Sequence, residues 1–256
     1  MKTFDLDQSA TRRAVLVGLG AGAATTVLAG PRSLIIAAAA PSDGDILTFA
    51  LNLEYLEAEY YCRAVSGNYL EKKDTQGVGR DGRTTGGAKV PFENQELAKL
   101  AREIAQDELD HVRFLRNALG KGAVAKPSID LDALKLGYAN DMEFITLARA
   151  FEDVGVSAYR GAAKLISNND YLDAAAAILA TEAYHAGALR AHAVYAGVNG
   201  PKLDAKDQPP TATNWIPTDR NGLAIGRTPA EVGAIVRGPS GNGGAFFPSG
   251  LNGNIR

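Results

Sequence analysis

Apolar side chains recur every three or four residues along four long stretches of the chain, the pattern of helices that bury one face. The stretches run from about Asp45 to Val65, Asn94 to Leu119, Asp141 to Ile166 and Asp170 to Tyr195. At 1.5 Å per residue each would span roughly 30 to 40 Å, a length typical of four-helix bundles. The pattern therefore predicts an all-α fold whose four-helix bundle occupies residues 41–200.

Residues suited to helix ends lie beside these stretches. Asp45 and Asn94 are placed to cap the first and second helices, and Asn168 and Asn169 separate the third from the fourth. The sequence between the first two helices, EKKDTQGVGRDGRTTGGAKVPF, is polar and rich in glycine. It predicts a long loop after the first helix.

The chain changes character after the fourth helix. Residues 201–256 are rich in Pro, Gly and Asn, and they contain one short helical candidate, Pro229 to Val236. This segment also carries Trp215, Phe246 and Phe247, and large aromatic side chains favour burial. We therefore expect a C-terminal extension that wraps irregularly over the bundle. A disordered tail is the alternative.

The first 40 residues have the organisation of an export signal. A polar stretch ends in Arg12-Arg13, an uncharged and mildly apolar run continues to Gly30, and small residues precede Pro41. This order is typical of a twin-arginine signal peptide. It predicts passage through the twin-arginine export machinery, followed by cleavage and a periplasmic or otherwise exported protein. An uncleaved membrane anchor is the alternative.

Composition narrows the possible functions. Hydrophobic residues make up 46% and charged residues 22%, which is typical of a soluble globular protein. The formal net charge of −2 provides no basic excess, so we expect no nucleic-acid partner. The single cysteine, Cys62, excludes an internal disulfide framework and is interpreted as a small core residue. Histidine is scarce, with three in the chain, so its positions are informative.

Two of the three histidines follow a glutamate by three residues on a predicted apolar stripe. Glu108 and His111 lie on the stripe of the second helix, and Glu182 and His185 lie on that of the fourth. A spacing of three residues brings both side chains to one helix face, about one turn apart. Burial of charge at such positions costs several kcal/mol unless a partner or a metal compensates.

The first and third helices each place one glutamate on the stripe, Glu54 and Glu152. Each of the four glutamates falls near the middle of its helix, so they are expected to meet inside the bundle. Four carboxylates and two imidazoles arranged in this way are the ligand set of di-iron and di-manganese bundles. We therefore predict a site for two iron or manganese ions; a metal-free bundle with paired carboxylates is the alternative. The predicted ligands are Glu54, Glu108, His111, Glu152, Glu182 and His185.

An internal repeat supports this interpretation. The second helix contains ELDHVRFLR and the fourth contains EAYHAGALR, and both read E-x-x-H-x-x-x-L-R. In the first and third helices a tyrosine, Tyr61 or Tyr159, follows the stripe glutamate by the same distance. The chain therefore resembles two related helix pairs, each of which offers one glutamate and one E-x-x-H motif.

Three further residues are candidates for a layer around the predicted metals. Glu57, one turn after Glu54, would reach the same ions or relay protons, or else it is a solvated or hydrogen-bonded glutamate. Tyr61 and Tyr159 would donate hydrogen bonds to ligands or carry a radical, with satisfied core tyrosines as the alternative. The sequence leaves these alternatives open.

The surroundings of the histidines offer further candidates. His192 follows His185 by one heptad and is either an outer-layer base or a satisfied core histidine. Asp107 and Asp110 flank the second-helix glutamate. Each would either hydrogen-bond a histidine of the opposite helix or form surface ion pairs.

With these motifs the chain resembles the ferritin-like superfamily, and in particular an exported group related to plant desiccation-related proteins. The resemblance covers about Asp45 to the C-terminus. It rests on ILTFALNLEYLEAEYY, AREIAQDELDHVRFLRNALG, FEDVGVSAYRGAA, AILATEAYHAGALR and the tail sequence GGAFFPSGLNG. The superfamily includes ferroxidases, peroxide-consuming enzymes, manganese catalases and oxygenases, so the resemblance implies redox chemistry on oxygen or peroxide. The long loop and the extended tail argue against a storage cage.

Three functions follow from the sequence as hypotheses. The first is an exported dinuclear iron or manganese protein that acts on oxygen or peroxide in stress protection, as an oxidoreductase. The second is a non-enzymatic envelope protein of the desiccation-related type. The third is iron binding for storage or delivery. A homo-oligomer is compatible with all three.

Overall fold

The protein is described from a computed structural model, which covers residues 40–237 and 245–255. The predicted signal segment, including Arg12 and Arg13, lies outside these residues. The predicted all-α four-helix bundle is confirmed, and the short predicted helix in the tail is also present. The helices are α1 (Asp43–Ser66), α2 (Lys72–Thr75), α3 (Gln95–Leu119), α4 (Asp141–Ala162), α5 (Asn169–Ala196) and α6 (Pro229–Val236). The strands β1 (Thr84–Thr85) and β2 (Ile129–Asp130) pair in parallel.

The four long helices associate as two pairs. Helix α1 packs mainly against α3, and α4 packs mainly against α5. Between α1 and α4 lies an aromatic cluster in which the Tyr60 ring centre is 5.7 Å from that of Phe144 and 5.0 Å from that of Phe151. Offset and edge-on contacts of this kind add to the energy of burial. The cluster therefore fixes the approach of α1 to α4, the helices that carry the two single glutamates.

Short polar side chains determine where the long helices begin. Asn94, Asn140 and Asn168 each accept hydrogen bonds from backbone N–H groups of the first turn that follows. The predicted cap of α1 was wrong. Ser42 caps that helix, and Asp45 lies one turn further on, where its carboxylate accepts a hydrogen bond from the Ser42 backbone N–H at 2.9 Å. This reciprocal arrangement is a capping box.

The long loop between α1 and α3 is held against the segment that follows α3. Gly77 and Gly82 permit this approach, because a Cβ at Gly77 would lie 2.3 Å from the Ala123 carbonyl oxygen. At Gly82 it would lie 2.0 Å from the Ser128 nitrogen. The glycine content of the loop therefore reflects contact between two backbones as well as turns.

The C-terminal residues pack on the bundle through buried hydrogen bonds. Asn52 of α1 donates to the Asn252 carbonyl oxygen at 2.9 Å and accepts from the Asn252 backbone N–H at 3.1 Å. The Asn252 side chain donates in turn to the carbonyl oxygens of Ala125 and Arg80. Phe247 is fully buried nearby in the chain. The tail thus joins α1 to the loop segments on either side of α3.

Two expectations about burial were wrong. Trp215 is 39% exposed, because its indole N–H bonds to the Ala212 carbonyl at the surface and its ring packs edge-on against Tyr195. Cys62 is only partly buried, with its sulfur 3.9 Å from the Ser66 hydroxyl near the end of α1. In the described residues, every helix is too short or too polar to cross a membrane.

Candidate metal centre

The six predicted ligand residues meet inside the bundle. Glu54 comes from α1 and Glu152 from α4, while α3 and α5 each supply a glutamate and a histidine from one face. All four glutamates have no exposed surface, and the two histidines are 9% and 5% exposed. The helical repeat accounts for this convergence, since each residue replaces an apolar side chain on the stripe that its helix buries.

The potential ligand atoms form two overlapping groups, each within a span of 4.8 Å. Both groups contain Glu108 and Glu182. The first adds Glu54 and His111, and the second adds Glu152 and His185. The two imidazole rings lie 6.3 Å apart between centres. The geometry thus defines two adjacent positions with two carboxylates shared between them.

Each histidine directs its Nδ1 atom at the carboxylates. His111 Nδ1 lies 3.3 Å from an oxygen of Glu54 and 3.3 Å from one of Glu108. His185 Nδ1 lies 3.0 Å from a second oxygen of Glu108 and 3.3 Å from one of Glu152. These contacts lack hydrogen-bond geometry. Both nitrogens and six carboxylate oxygens of the six residues are therefore buried without a hydrogen-bond partner.

Buried polar atoms without partners are rare in folded proteins and call for an explanation. Carboxylate oxygens and imidazole nitrogens are ligands suited to iron and manganese. A cation among these atoms would satisfy oxygens and nitrogens together. The residues present therefore fit a pair of transition-metal ions.

Electrostatics at the cluster favour added positive charge. Burial, together with the charge of Glu152, raises the pKa of Glu108 from 4.5 to about 7, and burial raises the pKa of Glu182 well above its usual range. Burial opposes charge on His185, yet its contacts with Glu108 and Glu152 raise its pKa to about 11. In the absence of metal, Glu108, Glu182 and His185 therefore retain protons, which supply the positive charge that metal ions would otherwise provide.

Two tyrosines cross between the helix pairs and bind the single glutamates. Tyr61 of α1 donates to Glu152 of α4 at 2.5 Å, and Tyr159 of α4 donates to Glu54 of α1. Burial raises the pKa of both hydroxyls well above the ordinary value, so they remain protonated donors. Each glutamate therefore has one oxygen held by a tyrosine and another directed at the cluster.

The ring nitrogen of His185 that faces away from the cluster contacts the carboxylate of Asp107. His185 Nε2 lies 3.0 Å from Asp107 of α3, and a hydrogen bond there requires the proton on Nε2. If a metal ion replaced the second proton, the ring would present a bare Nδ1 to the cluster, the arrangement by which outer carboxylates orient metal-binding histidines. Asp110 instead pairs with Gln106 and Arg113 at the surface. Of the two aspartates, only Asp107 thus meets the opposite helix's histidine.

Glu57 and His192 lie in different surroundings. Glu57 is 4% exposed, and burial together with the charges of the cluster raises its pKa well above 4.5. It therefore lies beside the cluster, although it belongs to neither group of potential ligands. The structure does not bring His192 into the cluster. That residue is partly exposed and lines a surface cavity with Asn94 and Tyr195.

Gly155 lies at the site but was not predicted from the sequence. A Cβ at this position of α4 would lie 2.1 Å from Glu182 Oε2 and 3.3 Å from Glu57 Oε1. Any larger residue would displace the Glu182 carboxylate, because the carboxylate already occupies the space that a side chain would need. A glycine in the interior of a helix is unfavourable by roughly 0.5–1 kcal/mol relative to alanine, and that cost was the available clue.

A bundle with these six buried side chains is characteristic of ferritin-like proteins. In agreement, the family profile of the ferritin-like domain matches residues 42–194, and the chain belongs to that family. It is also similar to the desiccation-related protein PCC13-62 of Craterostigma plantagineum, with 25% identity over 167 residues. The similar region covers 59% of this chain and 52% of that relative, so the chain spans about half of the relative's length.

Proposed function

We propose that the protein binds two iron or manganese ions and uses them in redox chemistry on oxygen or peroxide. The observation that carries the proposal is the pair of overlapping ligand groups, in which Glu108 and Glu182 are shared. Four carboxylates balance the charge of two divalent ions when both histidines are neutral. Two adjacent ions of this kind would supply binding and electron transfer for a small oxidant.

The residues around the ligands would prepare the site for that chemistry. Tyr61 and Tyr159 hold the two single glutamates in place, and Asp107 orients one histidine. Apolar side chains such as Leu51 and Ile104 are fully buried in the surrounding core and would restrict water. The site therefore favours small oxidants over large organic substrates.

Metal content provides the first test. The purified protein is expected to carry close to two transition-metal ions per chain, measured by elemental analysis of protein from its native compartment. The double variant Glu108→Ala, Glu182→Ala should lose both, since it removes the two shared carboxylates. Glu103→Ala, on the exposed side of the same helix, is the matched control. A single structural zinc ion, or unchanged metal content in the double variant, would refute a dinuclear site.

Oxidant consumption provides the second test and separates an enzyme from a scaffold. Protein loaded with Fe(II) is expected to react with oxygen or hydrogen peroxide faster than free Fe(II), as measured by stopped-flow absorbance. Protein loaded with manganese is tested for peroxide disproportionation in the same way. If neither form exceeds the double variant, the redox proposal fails.

A structural role is the second candidate, and the tail favours it. Asn252 joins the C-terminal residues to α1 and to two loop segments by buried hydrogen bonds, which strengthens the outer layer of the bundle. The similarity to a desiccation-related protein is compatible with a non-enzymatic stress protein. Full metal occupancy without oxidant consumption would support this candidate. Slow release of many iron ions per chain would instead support storage.

We also propose that residues 1–40 direct export through the twin-arginine machinery. The mature chain is then expected to begin near Ala40 or Pro41, which N-terminal sequencing of exported protein would show. Replacement of Arg12 and Arg13 by lysine should stop export, whereas Arg32→Lys, outside the pair, should not. Membrane-bound protein that retains the arginine pair would instead indicate an anchor.

A further inference from the structure

A cavity of about 300 Å³ lies between α4, α5 and the segment from 206 to 227 of the C-terminal extension. It is separate from the cluster of six predicted ligand residues, although Ala183 and Ala186 in its wall are neighbours in sequence of Glu182 and His185. The volume is at the lower end of the range of small-molecule sites. The apolar part of the wall includes Val156, Ala183, Ala186, Trp215, Ile216 and Pro217.

The charged side chains at the cavity have partners of opposite charge, although the Oδ1 atom of Asp153 has no hydrogen-bond partner. Arg190 binds Asp153 at 2.7 Å, and Arg227 binds Asp204 at 2.7 Å. Lys206 binds Glu231, also at 2.7 Å. The Arg190–Asp153 pair is buried, so an ionic ligand that broke it would leave an uncompensated buried charge, which is costly. The Lys206–Glu231 pair lies at the surface and offers no such barrier. The wall therefore favours an uncharged ligand.

Arg190 also fixes the wall that the C-terminal segment contributes. Its guanidinium donates to the Trp215 carbonyl oxygen at 2.6 Å and to the Gln208 carbonyl oxygen at 2.9 Å. The arginine is 1% exposed and projects from α5, so it ties the segment to the bundle. The cavity is thus preformed, and a ligand would not have to order this wall on binding.

Gly187 of α5 leaves the cavity open. A Cβ on this residue would meet no atom outside its own helix within 4 Å. The two glycines of α4 differ, because a Cβ at Gly155 or Gly161 would lie 2.1 Å or 1.8 Å from another atom. Close packing explains those two glycines. Gly187 is solvent-exposed, and its missing side chain leaves space at the edge of the cavity wall that it lines.

We infer that this cavity binds a small, uncharged, mainly apolar molecule. The preformed apolar wall supplies the binding energy, the buried Arg190–Asp153 pair disfavours ions, and the missing side chain at Gly187 provides room. The cavity is too small for a helix or a folded partner. This site is independent of the metal cluster and of the chemistry proposed there.

The tryptophan in the wall provides a direct assay, because Trp215 is the single tryptophan of the chain. Titration of the full chain with 4-propylphenol is expected to change tryptophan fluorescence with saturation. The ionised analogue 4-propylbenzoate, of similar size, should bind about tenfold more weakly or not at all. Equal binding of the two compounds would overturn the assignment to an uncharged ligand.

Two variants at one position test the location. Gly187→Phe should weaken the binding of 4-propylphenol about tenfold or more by filling the cavity, whereas Gly187→Ala should bind within about threefold of the natural protein. Metal content and thermal unfolding check that both variants fold. Unchanged binding by a folded Gly187→Phe variant would overturn the site. A titration that shows no saturable fluorescence change would also overturn the site. The same holds if the change depends on protein concentration alone.

Discussion

Replacement of Glu108 by glutamine is expected to stabilise the metal-free protein while removing its ability to bind metal. The carboxyl group is fully buried, and burial together with the charge of Glu152 raises its pKa from 4.5 to about 7. Above pH 7 the Glu108 carboxylate is charged in both states, but it is buried in the folded chain and hydrated in the unfolded chain. Folding therefore costs free energy at this residue. Glutamine has nearly the same shape and carries no charge, so it removes this cost.

The pKa difference gives the magnitude and the sign. A pKa of about 7 in the folded chain, against 4.5 in the unfolded chain, corresponds to about 3 kcal/mol. For a raised pKa, the contribution to stability is fully present below the unfolded value and is lost as the pH rises through the folded value. The Glu108→Gln variant should therefore exceed the natural protein by about 3 kcal/mol at pH 8 and by about 1 kcal/mol or less at pH 5.

Urea unfolding in the presence of a chelator, at pH 8 and at pH 5, measures the effect. Glu103→Gln is the control, since it makes the same chemical change at an exposed position of the same helix. Addition of Mn²⁺ should reverse the order of stability, because the proposed site would bind the ion in the folded natural protein and not in the variant. A variant that is less stable than the natural protein at pH 8 without metal would refute the reasoning. An equal gain at both pH values would refute its electrostatic basis.

Three further outcomes are expected. Affinity for Mn²⁺, measured by equilibrium dialysis, should fall as the pH is lowered from 8 to 6, because Glu108 with a pKa of about 7 gains a proton that the metal must displace; equal affinities would contradict this. Gly155→Ala should lower metal affinity in the same assay far more than alanine at the glycine of α5, since its methyl group would displace Glu182; equal effects would contradict this. Asn252→Ala should lower the free energy of unfolding in urea by about 1–3 kcal/mol, and exposed Asn254→Ala by less; a reversed order would contradict the stabilising role of the buried Asn252 hydrogen bonds.

The positions of the six predicted ligands could be anticipated because each breaks a regular pattern. A glutamate or histidine on an apolar stripe is conspicuous, and helical periodicity alone determines which face it occupies. The E-x-x-H spacing links Glu108 with His111 by local geometry. Convergence of such residues near the centre of a bundle follows from helix length, so no knowledge of the connecting loops was needed.

Contacts between distant parts of the chain were less accessible. Both tyrosines were recognised as candidates, but periodicity does not reveal that Tyr61 reaches Glu152 while Tyr159 reaches Glu54. The choice between Asp107 and Asp110 depends on a rotation of α3 that the stripe defines only approximately. The hydrogen bonds between Asn52 and Asn252 join residues that are 200 positions apart, and the sequence around Asn252 carries no periodic pattern.

The two helix pairs offer the same ligands in different surroundings. One turn after its single glutamate, α1 has the buried Glu57, whereas the corresponding position of α4 is Gly155. Immediately before the E-x-x-H motif, α3 has Asp107, which meets the histidine of α5. The corresponding residue of α5 is Thr181, whose hydroxyl bonds back to its own helix. Since neither difference lies within the repeated ligand motifs, the asymmetry of the two positions comes from the residues that support the ligands.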